Sequence, residues 1–260
     1  MADFDHIANR YDTDFTQTAI GKAQRQLVHH QLEKLQLDFN QVRVLEINCG
    51  TGQDALYFAK KGAQVLATDI SYEMVSVTQK KTLEFPNVSS EVLDINQLST
   101  FHSDEKYDVI FSNFGGLNCL TTLQLQTFLE VASTRLEKNG QLIMVIMPEF
   151  CGWETLYFLS KFNWKKAFRR KNKSGVLAKL DGKEVKTYYY SPLNVIKLAS
   201  KFKMKWISPI GLFVPPSYLN KLFLNYPKTL RFFEKRDEKA SNSFFLSALS
   251  DHYLISLNLR

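Results

Sequence analysis

Apolar and polar positions alternate along residues 42–147 in a pattern that predicts strands separated by helices. Short apolar and β-branched runs predict five strands, over 42–47, 64–70, 88–94, 107–113 and 141–147. Apolar residues at helical spacing predict intervening helices over 54–62, 71–85 and 122–140. Gly62 is placed to end the first of these helices, and Ser71 is placed to cap the second. Strands that alternate with helices are typical of a parallel sheet covered on both faces.

The chain on either side of this region follows other patterns. Residues 21–36 show helical spacing, and the mixed aromatic and acidic residues before them predict an ordered arm or short helices. Beyond Pro148, residues 153–170 predict an aromatic-rich helix, and Asp181-Gly182 predicts a hairpin within 176–190. The remaining predicted elements are a helix over 191–202 with Ser191 as N-cap and Pro192 first, a strand over 203–214, a helix over 217–239 and a strand over 251–259.

The net charge of +7 is unevenly distributed. Residues 1–150 hold 12 Lys and Arg against 19 Asp and Glu, whereas residues 151–260 hold 21 against 7. A solvated, lysine-rich surface is the simplest interpretation. The alternative is that the basic part faces an anionic substrate, an acidic carrier protein, nucleic acid or a membrane surface.

The composition excludes several classes of protein. With 45% hydrophobic and 23% charged residues, the chain is neither a disordered tail nor a collagen-like repeat. No apolar run reaches the roughly 18 to 20 residues of a membrane span, and the first residues lack the apolar segment of a secretory signal. Cys49, Cys119 and Cys151 form neither a CxxC pair nor a disulfide framework. We therefore predict a cytoplasmic protein.

Residues 44–71 combine a strand, a turn of small residues, a helix and a second strand that ends in a carboxylate. Gly50 and Gly52 lack a Cβ atom, so the backbone can approach a ligand closely, and the next helix begins with unpaired N–H groups. Asp69, 19 residues after Gly50, is placed to accept both hydroxyls of a ribose. The pattern indicates a nucleoside cofactor.

The residue below the turn favours one class of nucleoside cofactor. A dinucleotide fingerprint aligned on Gly50 and Gly52 would place its third small residue at Ala55, so the glycines alone do not exclude NAD. Glu46, four residues before Gly50, would repel a pyrophosphate but suits a ligand that carries an ammonium group. The sequence therefore favours a cofactor with a cationic end.

These residues resemble the class I S-adenosylmethionine-dependent methyltransferases, whose first motif is commonly (D/E)xGxGxG. This chain has EINCGTG at 46–52, and the resemblance continues at Asp69, Asp94 and Asp108, over roughly 40–147. The departure is Asn48, where the family usually has glycine; asparagine tolerates the left-handed conformation best among other residues. The resemblance implies an α/β, Rossmann-like, doubly wound, mostly parallel seven-stranded sheet with an α+β lid insertion.

The resemblance also implies the cofactor, S-adenosylmethionine, which leaves as S-adenosylhomocysteine, and it gives a role to each matching residue. The expected contacts are Glu46, Asn48, Gly50 and Gly52 along the methionine end, Asp69 at the ribose, Ile70 and Met74 at the adenine, Asp94 and Ile95 at its amino group, and Asn113 and Phe114 near the sulfonium. Tyr11 belongs to an opening segment that looks like the N-terminal arm of small-molecule members, where the tyrosine closes over the cofactor.

Methyl transfer from a sulfonium requires in-line positioning and, for a hydroxyl acceptor, removal of a proton. The predicted catalytic residues are His6 in the arm and Glu149 after the fifth strand as bases, and Tyr11 to orient the acceptor. His29 and His30 on the first helix are weaker candidates. The sequence contains no cluster with metal-ligand spacing, so we expect no metal site.

We divide the chain into an arm and helix over the site (1–36), a cofactor-binding core (37–150), a lid or substrate insertion (151–190) and a C-terminal part of the core sheet (191–260). The basic residues of the lid are candidates for holding a carboxylate, a phosphate or an acidic carrier protein; they are Arg169, Arg170, Lys171 and Lys173. The division of the chain into these four parts is an expectation from the spacing of the motifs.

The predicted function is methyl transfer to a small aromatic or lipophilic acceptor, at oxygen rather than nitrogen or carbon. The acceptor is free or bound to an acidic carrier protein, and we do not expect nucleic acid as a partner because no separate RNA module is recognised. Three alternatives stay open: methylation of RNA or protein through the basic C-terminal half, an NAD-dependent oxidoreductase, and a non-catalytic cofactor-binding protein. The sequence does not define the oligomeric state.

Overall fold

The structure is a computed structural model that describes residues 4–180 and 183–260. Its strands are β1 Arg43–Ile47, β2 Gln64–Asp69, β3 Val88–Val92, β4 Tyr107–Ser112, β5 Leu136–Ile146, β6 Val176–Leu180, β7 Lys183–Thr187, β8 Phe202–Ile210 and β9 His252–Leu259. Its α-helices are α1 Ala8–Tyr11, α2 Ala19–Lys34, α3 Gln53–Lys60, α4 Tyr72–Lys81, α5 Thr122–Arg135, α6 Gly152–Ser160, α7 Trp164–Ala167, α8 Pro192–Leu198, α9 Asn220–Phe223, α10 Pro227–Lys239 and α11 Phe244–Ser247. The arm before α2 also contains a 3₁₀ turn over Asp5–Ile7 and a π-helical turn over Asp12–Thr16.

In the described part of the chain, seven strands form one sheet in the order β3-β2-β1-β4-β5-β9-β8. The first five strands in chain order pair in parallel, and β9 lies antiparallel to both β5 and β8. The strand order reverses between β1 and β4, so the chain leaves these neighbours on opposite sides of the sheet. Such a reversal opens a crevice at the carboxyl ends of the strands.

Both faces of the sheet are covered, as the apolar pattern predicts. Alternate residues of the central strands point to opposite cores: Leu45 and Ile110 lie in one cluster, and Val44 and Val109 lie in the other. Helix α2 packs its apolar face on the second cluster. Thr18 caps the N-terminus of this helix, because its Oγ1 accepts a hydrogen bond from the Gly21 N–H at 3.0 Å. Because both faces are covered, the edge at the carboxyl ends of the strands is the place where a ligand can reach the sheet.

Helix α5 ends five residues before the predicted end at Asn139-Gly140. It stops at Arg135, and Leu136 already pairs with Tyr107 of β4. The Arg135 guanidinium is buried and donates to backbone carbonyls within residues 98–105 at 2.5–2.9 Å. This anchor fixes the last turn of the helix, so that the chain enters the sheet directly.

The C-terminal elements differ from the prediction at several points: α8 ends at Leu198 instead of 202, β8 ends at Ile210 instead of 214, α11 was not predicted, and two predicted helices are broken. The helix expected over 153–170 divides into α6 and α7, and the one expected over 217–239 is interrupted before Pro227, the first residue of α10. Strands β6 and β7 form the predicted antiparallel hairpin, whose turn, Asp181-Gly182, lies outside the described residues. Ser191 caps α8 as expected. Among the described helices, none is long and apolar enough to cross a membrane.

Candidate functional site

A cavity of about 620 Å³ opens at the carboxyl ends of β1, β2 and β4. It lies where the strand order reverses, the position at which ligands of open α/β sheets bind. Eight residues predicted to hold the cofactor line it: Tyr11, Asn48, Gly50, Asp69, Ile70, Met74, Asn113 and Phe114. Glu46, in β1, and Gly52, in the turn that follows, lie next to these residues but do not line the cavity. Asp94 and Ile95 follow β3 and do not line it either.

The turn after β1 presents its backbone to the cavity. Asn48, Gly50 and Gly52 all have left-handed backbones, with φ of 59°, 55° and 75°. A Cβ atom at Gly52 would lie 2.6 Å from Thr78 Cγ2, so the close approach of the turn to α4 requires glycine. Because the turn leads directly into α3, its N–H groups and the helix N-terminus face the same ligand.

Asn48 has the left-handed conformation that its position requires, and Gly116 makes room for its side chain. Asn48 Nδ2 donates to Ser112 Oγ at 3.3 Å. A Cβ atom at Gly116 would lie 2.5 Å from Asn48 Cβ, closer than two carbon atoms can pack. The asparagine at 48 and the glycine at 116, in the turn after β4, are therefore sterically coupled.

We expect Gly116→Ala to lower the free energy of unfolding by about 1–3 kcal/mol and to weaken S-adenosylmethionine binding about 10-fold, because Asn48 must be displaced. In the double variant Asn48→Gly with Gly116→Ala, most of both losses should disappear. Urea denaturation and calorimetric titration of the wild type, the two single variants and the double variant measure the coupling. Effects that add to within about 0.5 kcal/mol would contradict it.

Asp69 fastens the glycine turn to the end of β2. Its Oδ2 accepts from the Gly50 N–H and its Oδ1 from the Ser71 N–H, both at 2.9 Å. Burial raises the pKa of Asp69, and the N–H groups of Ser71 and Gly50 oppose this effect. Since a carboxylate oxygen accepts more than one hydrogen bond, Asp69 can hold the turn and a ligand hydroxyl together.

The N-terminal arm is anchored to the glycine turn through Asp12. Asp12 Oδ1 accepts from Thr51 Oγ1 at 2.6 Å, and its Oδ2 accepts from Lys81 Nζ at 2.5 Å. Although burial opposes ionisation, these two partners hold the pKa of Asp12 below its ordinary value. Tyr11, the preceding residue, is thereby fixed in the cavity wall. Burial raises the pKa of the Tyr11 phenol, so it stays protonated at neutral pH.

Sequence reasoning missed a buried network centred on Asp54, in the first turn of α3. Asp54 forms an ion pair with Arg25, accepts from Asn113 Nδ2 at 2.9 Å and accepts from His29 Nε2 at 2.8 Å. The Arg25 guanidinium also lies over the Phe114 ring, 5.1 Å from its centroid. Arg25, Asp54 and Asn113 all line the cavity. The four-residue spacing of Arg25 and His29, which turns both to one helix face, is the signal that could have indicated this network.

Glu46, below the turn, is a buried carboxylate that lacks a full set of partners. It is 1% exposed, and its Oε2 has no hydrogen-bond partner among the described residues. Burial raises the pKa of Glu46 well above its ordinary value, the charges of Asp54 and Asp69 raise it further, and Arg25 opposes them. Arg25 Nε is also buried without a partner in the described structure. An unpaired carboxylate oxygen and an unpaired guanidinium N–H match the ammonium and carboxylate of an amino acid.

Two of the predicted catalytic residues do not reach the cavity. His6 is exposed, because its short 3₁₀ turn buries the neighbouring Ile7 instead. Glu149 lines a second cavity of about 330 Å³ and accepts from Asn194 Nδ2 at 2.8 Å. The chain turns away after β5, so Met147 lines the first cavity and Glu149 does not. Of the three predicted catalytic residues, Tyr11 alone lines the first cavity.

The hairpin of β6 and β7 covers part of the first cavity. Its residues in the cavity wall are Ala178, Val185, Lys186 and Thr187. The arginines expected to be free for a ligand are engaged elsewhere: Arg169 Nε donates to Glu154 at 2.7 Å, and Arg170, 6% exposed, donates to Asp251 at 2.7 Å. Arg170 therefore holds the insertion to Asp251, next to β9, whereas Arg169 links two parts of the insertion itself.

Comparison with known proteins relates the glycine turn to one family. Residues 44–140 match the family described as "Methyltransferase domain". The putative methyltransferase YqeM of Bacillus subtilis is 29% identical over 110 residues, 42% of this chain and 43% of that protein. A malonyl-[acyl-carrier protein] O-methyltransferase of Hamiltonella defensa is 34% identical over 76 residues, 29% of this chain and 28% of that protein. The alignments thus span less than half the length of these relatives.

Among solved structures, the magnesium protoporphyrin IX methyltransferase of Synechocystis PCC 6803, with bound S-adenosylhomocysteine, superposes with a TM-score of 0.57. The two are 14% identical over 92% of this chain and 85% of that chain, a likeness that concerns the fold. It confirms the Rossmann-like, mostly parallel seven-stranded sheet. Over residues 44–140, the chain therefore carries a methyltransferase domain.

Proposed function

We propose that this protein transfers the methyl group of S-adenosylmethionine to a small aromatic or lipophilic acceptor, at oxygen. One observation carries the proposal: a single cavity joins a polar wall to an apolar wall. The glycine turn and Arg25 form the polar wall, whereas Met147, Ala178 and Val185 contribute apolar surface from β5 and the hairpin. The first wall suits the cofactor, and the second suits the acceptor.

The residues of the polar wall and Glu46 below it fit the successive parts of the cofactor. Glu46 would take the ammonium of its methionine part, and Arg25 would take the carboxylate. Asp69 would accept the ribose hydroxyls, and Ile70 and Met74 would pack on the adenine. The other predicted contacts near this wall are Asn48, Gly50, Gly52, Asn113 and Phe114, whereas Asp94 and Ile95 follow β3 outside the cavity wall. The unpartnered atoms of Glu46 and Arg25 support this arrangement.

When bound, the cofactor supplies an already activated methyl group, so the protein acts mainly by positioning. Tyr11, protonated because burial raises the pKa of its phenol, orients the acceptor as a hydrogen-bond donor. His6 and Glu149 lie away from the cavity, so neither acts as a base here. We infer an acceptor oxygen that is ionised before transfer, as in a carboxylate or an acidic phenol.

We propose that the acceptor can also be attached to an acidic carrier protein. The similarity to a relative named as a malonyl-[acyl-carrier protein] O-methyltransferase supports this idea. Lys171, Lys173 and Lys197 around the second cavity supply positive charge that an acidic carrier would meet. We further propose that the β6–β7 hairpin is the lid and that the protein works in the cytoplasm, where its three free thiols would stay reduced.

The alternatives are less well supported. The cavity is open beside Asn113, which favours catalysis over a non-catalytic cofactor-binding role. Methylation of RNA or protein through Arg169 and Arg170 is disfavoured, because these arginines are bound to Glu154 and Asp251. The match of residues 44–140 to a methyltransferase domain removes the NAD-dependent oxidoreductase from consideration.

Transfer of a labelled methyl group to a panel of aromatic and lipophilic carboxylic acids and phenols tests the function. We expect Ala178→Trp, on the cavity wall, to lower kcat/KM for the acceptor about 10-fold by filling its space. The affinity for S-adenosylmethionine should change less than about threefold.

Leu177→Trp is the matched control, because the preceding residue of β6 is 56% exposed and points away from the cavity. It should leave both constants unchanged. Equal losses in Ala178→Trp and Leu177→Trp would contradict an acceptor site under the hairpin. Absence of methyl transfer to every member of the panel would contradict the proposed acceptor class.

A further inference from the structure

One surface carries exposed apolar side chains that the proposed reaction does not use. It is formed by residues 156–167, from α6 to α7, and residues 217–228, which include α9; we name it the apolar–basic surface. Its exposed apolar members have exposed fractions of 45–87%; they are Leu156, Phe162, Trp164, Tyr218, Leu222, Leu224 and Tyr226. A large exposed apolar patch marks a site of interaction with a protein or a membrane.

Ring contacts join the two segments into one surface. The Tyr218 ring lies 6.0 Å from Tyr157 and 6.4 Å from Phe158 of α6. Beneath them, Phe223 packs on Trp153, with ring centroids 6.1 Å apart. The inward rings therefore hold α6 and α9 side by side, and their outward neighbours share the exposed surface.

The charge of this surface has one sign. Residues 156–167 and 217–228 contain five lysines and no aspartate or glutamate, and all five lysines are exposed: Lys161, Lys165, Lys166, Lys221 and Lys228. Glu154, the acidic residue of α6, is buried and bound to Arg169 and Arg170. No carboxylate of the surface segments themselves balances the lysines, so the surface attracts anions.

Phe162 is the most exposed of these apolar residues and has an unusual backbone. Its side chain is 87% exposed, and its φ is 54°, in the left-handed region that bulky residues avoid. Neither packing nor turn geometry calls for phenylalanine there, because glycine or asparagine would form the same turn without strain. A strained, exposed aromatic residue is typical of a functional position.

We propose that the apolar–basic surface binds a bilayer that contains anionic lipid. Trp164, Phe162 and Leu222 would enter the boundary between headgroups and acyl chains, while the lysines stay at the level of the anionic headgroups. Tryptophan, phenylalanine and leucine among lysines match the boundary of an anionic bilayer, where an apolar layer adjoins negative headgroups. Membrane binding is independent of the methyl-transfer proposal and would bring the enzyme to lipophilic acceptors.

Co-sedimentation of the full chain with vesicles tests the proposal. We expect binding to phosphatidylcholine vesicles that contain about 30 mol% phosphatidylglycerol, at least about 10-fold stronger than to phosphatidylcholine alone and weaker at high salt. Trp164, 64% exposed in the free protein, should shift its emission to the blue as the ring leaves water.

The paired substitutions Phe162→Asp and Trp164→Asp should lower vesicle binding at least about 10-fold, because they charge the inserted apolar side chains. Leu83→Asp and Leu123→Asp are matched controls, since these residues are 81% and 72% exposed elsewhere and should leave binding unchanged. All variants should bind S-adenosylmethionine like the wild type, which reports correct folding. Three results would overturn the proposal. They are wild-type protein that does not bind anionic vesicles, wild-type protein that binds an acidic carrier protein instead, and control variants that lose as much binding as the paired substitutions.

Discussion

Replacing Asp54 by alanine is expected to destabilise the fold by about 3 kcal/mol and to lower kcat/KM for methyl transfer about 100-fold. Asp54 is 3% exposed and is the shared partner of Arg25, His29 and Asn113. Its removal leaves the Arg25 guanidinium without a counter-charge. Because the Arg25 side chain is 19% exposed, water relieves part of the cost, and the low end of the range for buried ion pairs applies. Activity falls because Arg25 and Asn113 lose their orientation in the cavity.

Urea denaturation and methyl-transfer kinetics measure the two effects of Asp54→Ala separately. The double variant Arg25→Met with Asp54→Ala should regain most of the stability, since no unpaired charge is left, but none of the activity. Asp54→Asn preserves the side-chain volume and should lose activity while folding. An Asp54→Ala variant as stable and as active as the wild type would show that the network is not needed.

The part of the site that could be predicted lies within one continuous stretch of the sequence. Glu46, Gly50, Gly52 and Asp69 follow from a strand-turn-helix-strand pattern in which each position has a local reason. The network of Asp54 could not be predicted in this way, because Arg25 comes from α2 and Asn113 from the turn that follows β4. These residues meet only when the chain folds, and Asp54 by itself resembles an ordinary acidic residue at a helix N-terminus.

In the fold, too, some features depend on neighbouring residues and others on residues far away in the sequence. The strands and the N-caps Ser71 and Ser191 depend on local patterns, and the structure has them close to their predicted positions, except that β5 begins five residues early and β8 ends four residues early. The end of α5 depends on Arg135, whose guanidinium binds carbonyls about 30 to 37 positions earlier in the chain. Asn139-Gly140 is a common end signal for a helix, but here the distant anchor ends the helix first.

Asp54 and Glu46 are both buried carboxylates in the same cavity region, but their pKa values shift in opposite directions. Although burial opposes ionisation, Arg25 and His29 hold the pKa of Asp54 well below its ordinary value. Its contribution to stability is therefore present at neutral pH and is lost only as the pH falls through the lowered value. Burial raises the pKa of Glu46, so the stability of the free protein falls as the pH rises from the ordinary glutamate pKa to the raised value, and it stays reduced above that value.

Glu46→Gln is therefore expected to raise the free energy of unfolding of the cofactor-free protein while weakening S-adenosylmethionine binding about 100-fold. The gain in stability follows from removing a buried carboxyl group whose raised pKa costs the free protein stability at neutral pH. The loss of affinity follows from removing a charge-assisted hydrogen bond to the ammonium, worth about 2–3 kcal/mol. Calorimetric titration with S-adenosylmethionine and S-adenosylhomocysteine, with NAD as the control ligand, measures the affinity, and urea denaturation measures the stability.

The pH dependence of binding separates this role of Glu46 from a general change in the cavity. The bound ammonium should lower the raised pKa of Glu46, so wild-type protein releases a proton on binding, and its affinity rises as the pH rises through that raised value. Glu46→Gln should show neither the proton release nor this rise. A variant that loses affinity but keeps the wild-type pH profile would assign the ammonium to another carboxylate, whereas a variant that loses both affinity and stability would mean that Glu46 holds the turn together rather than the cofactor.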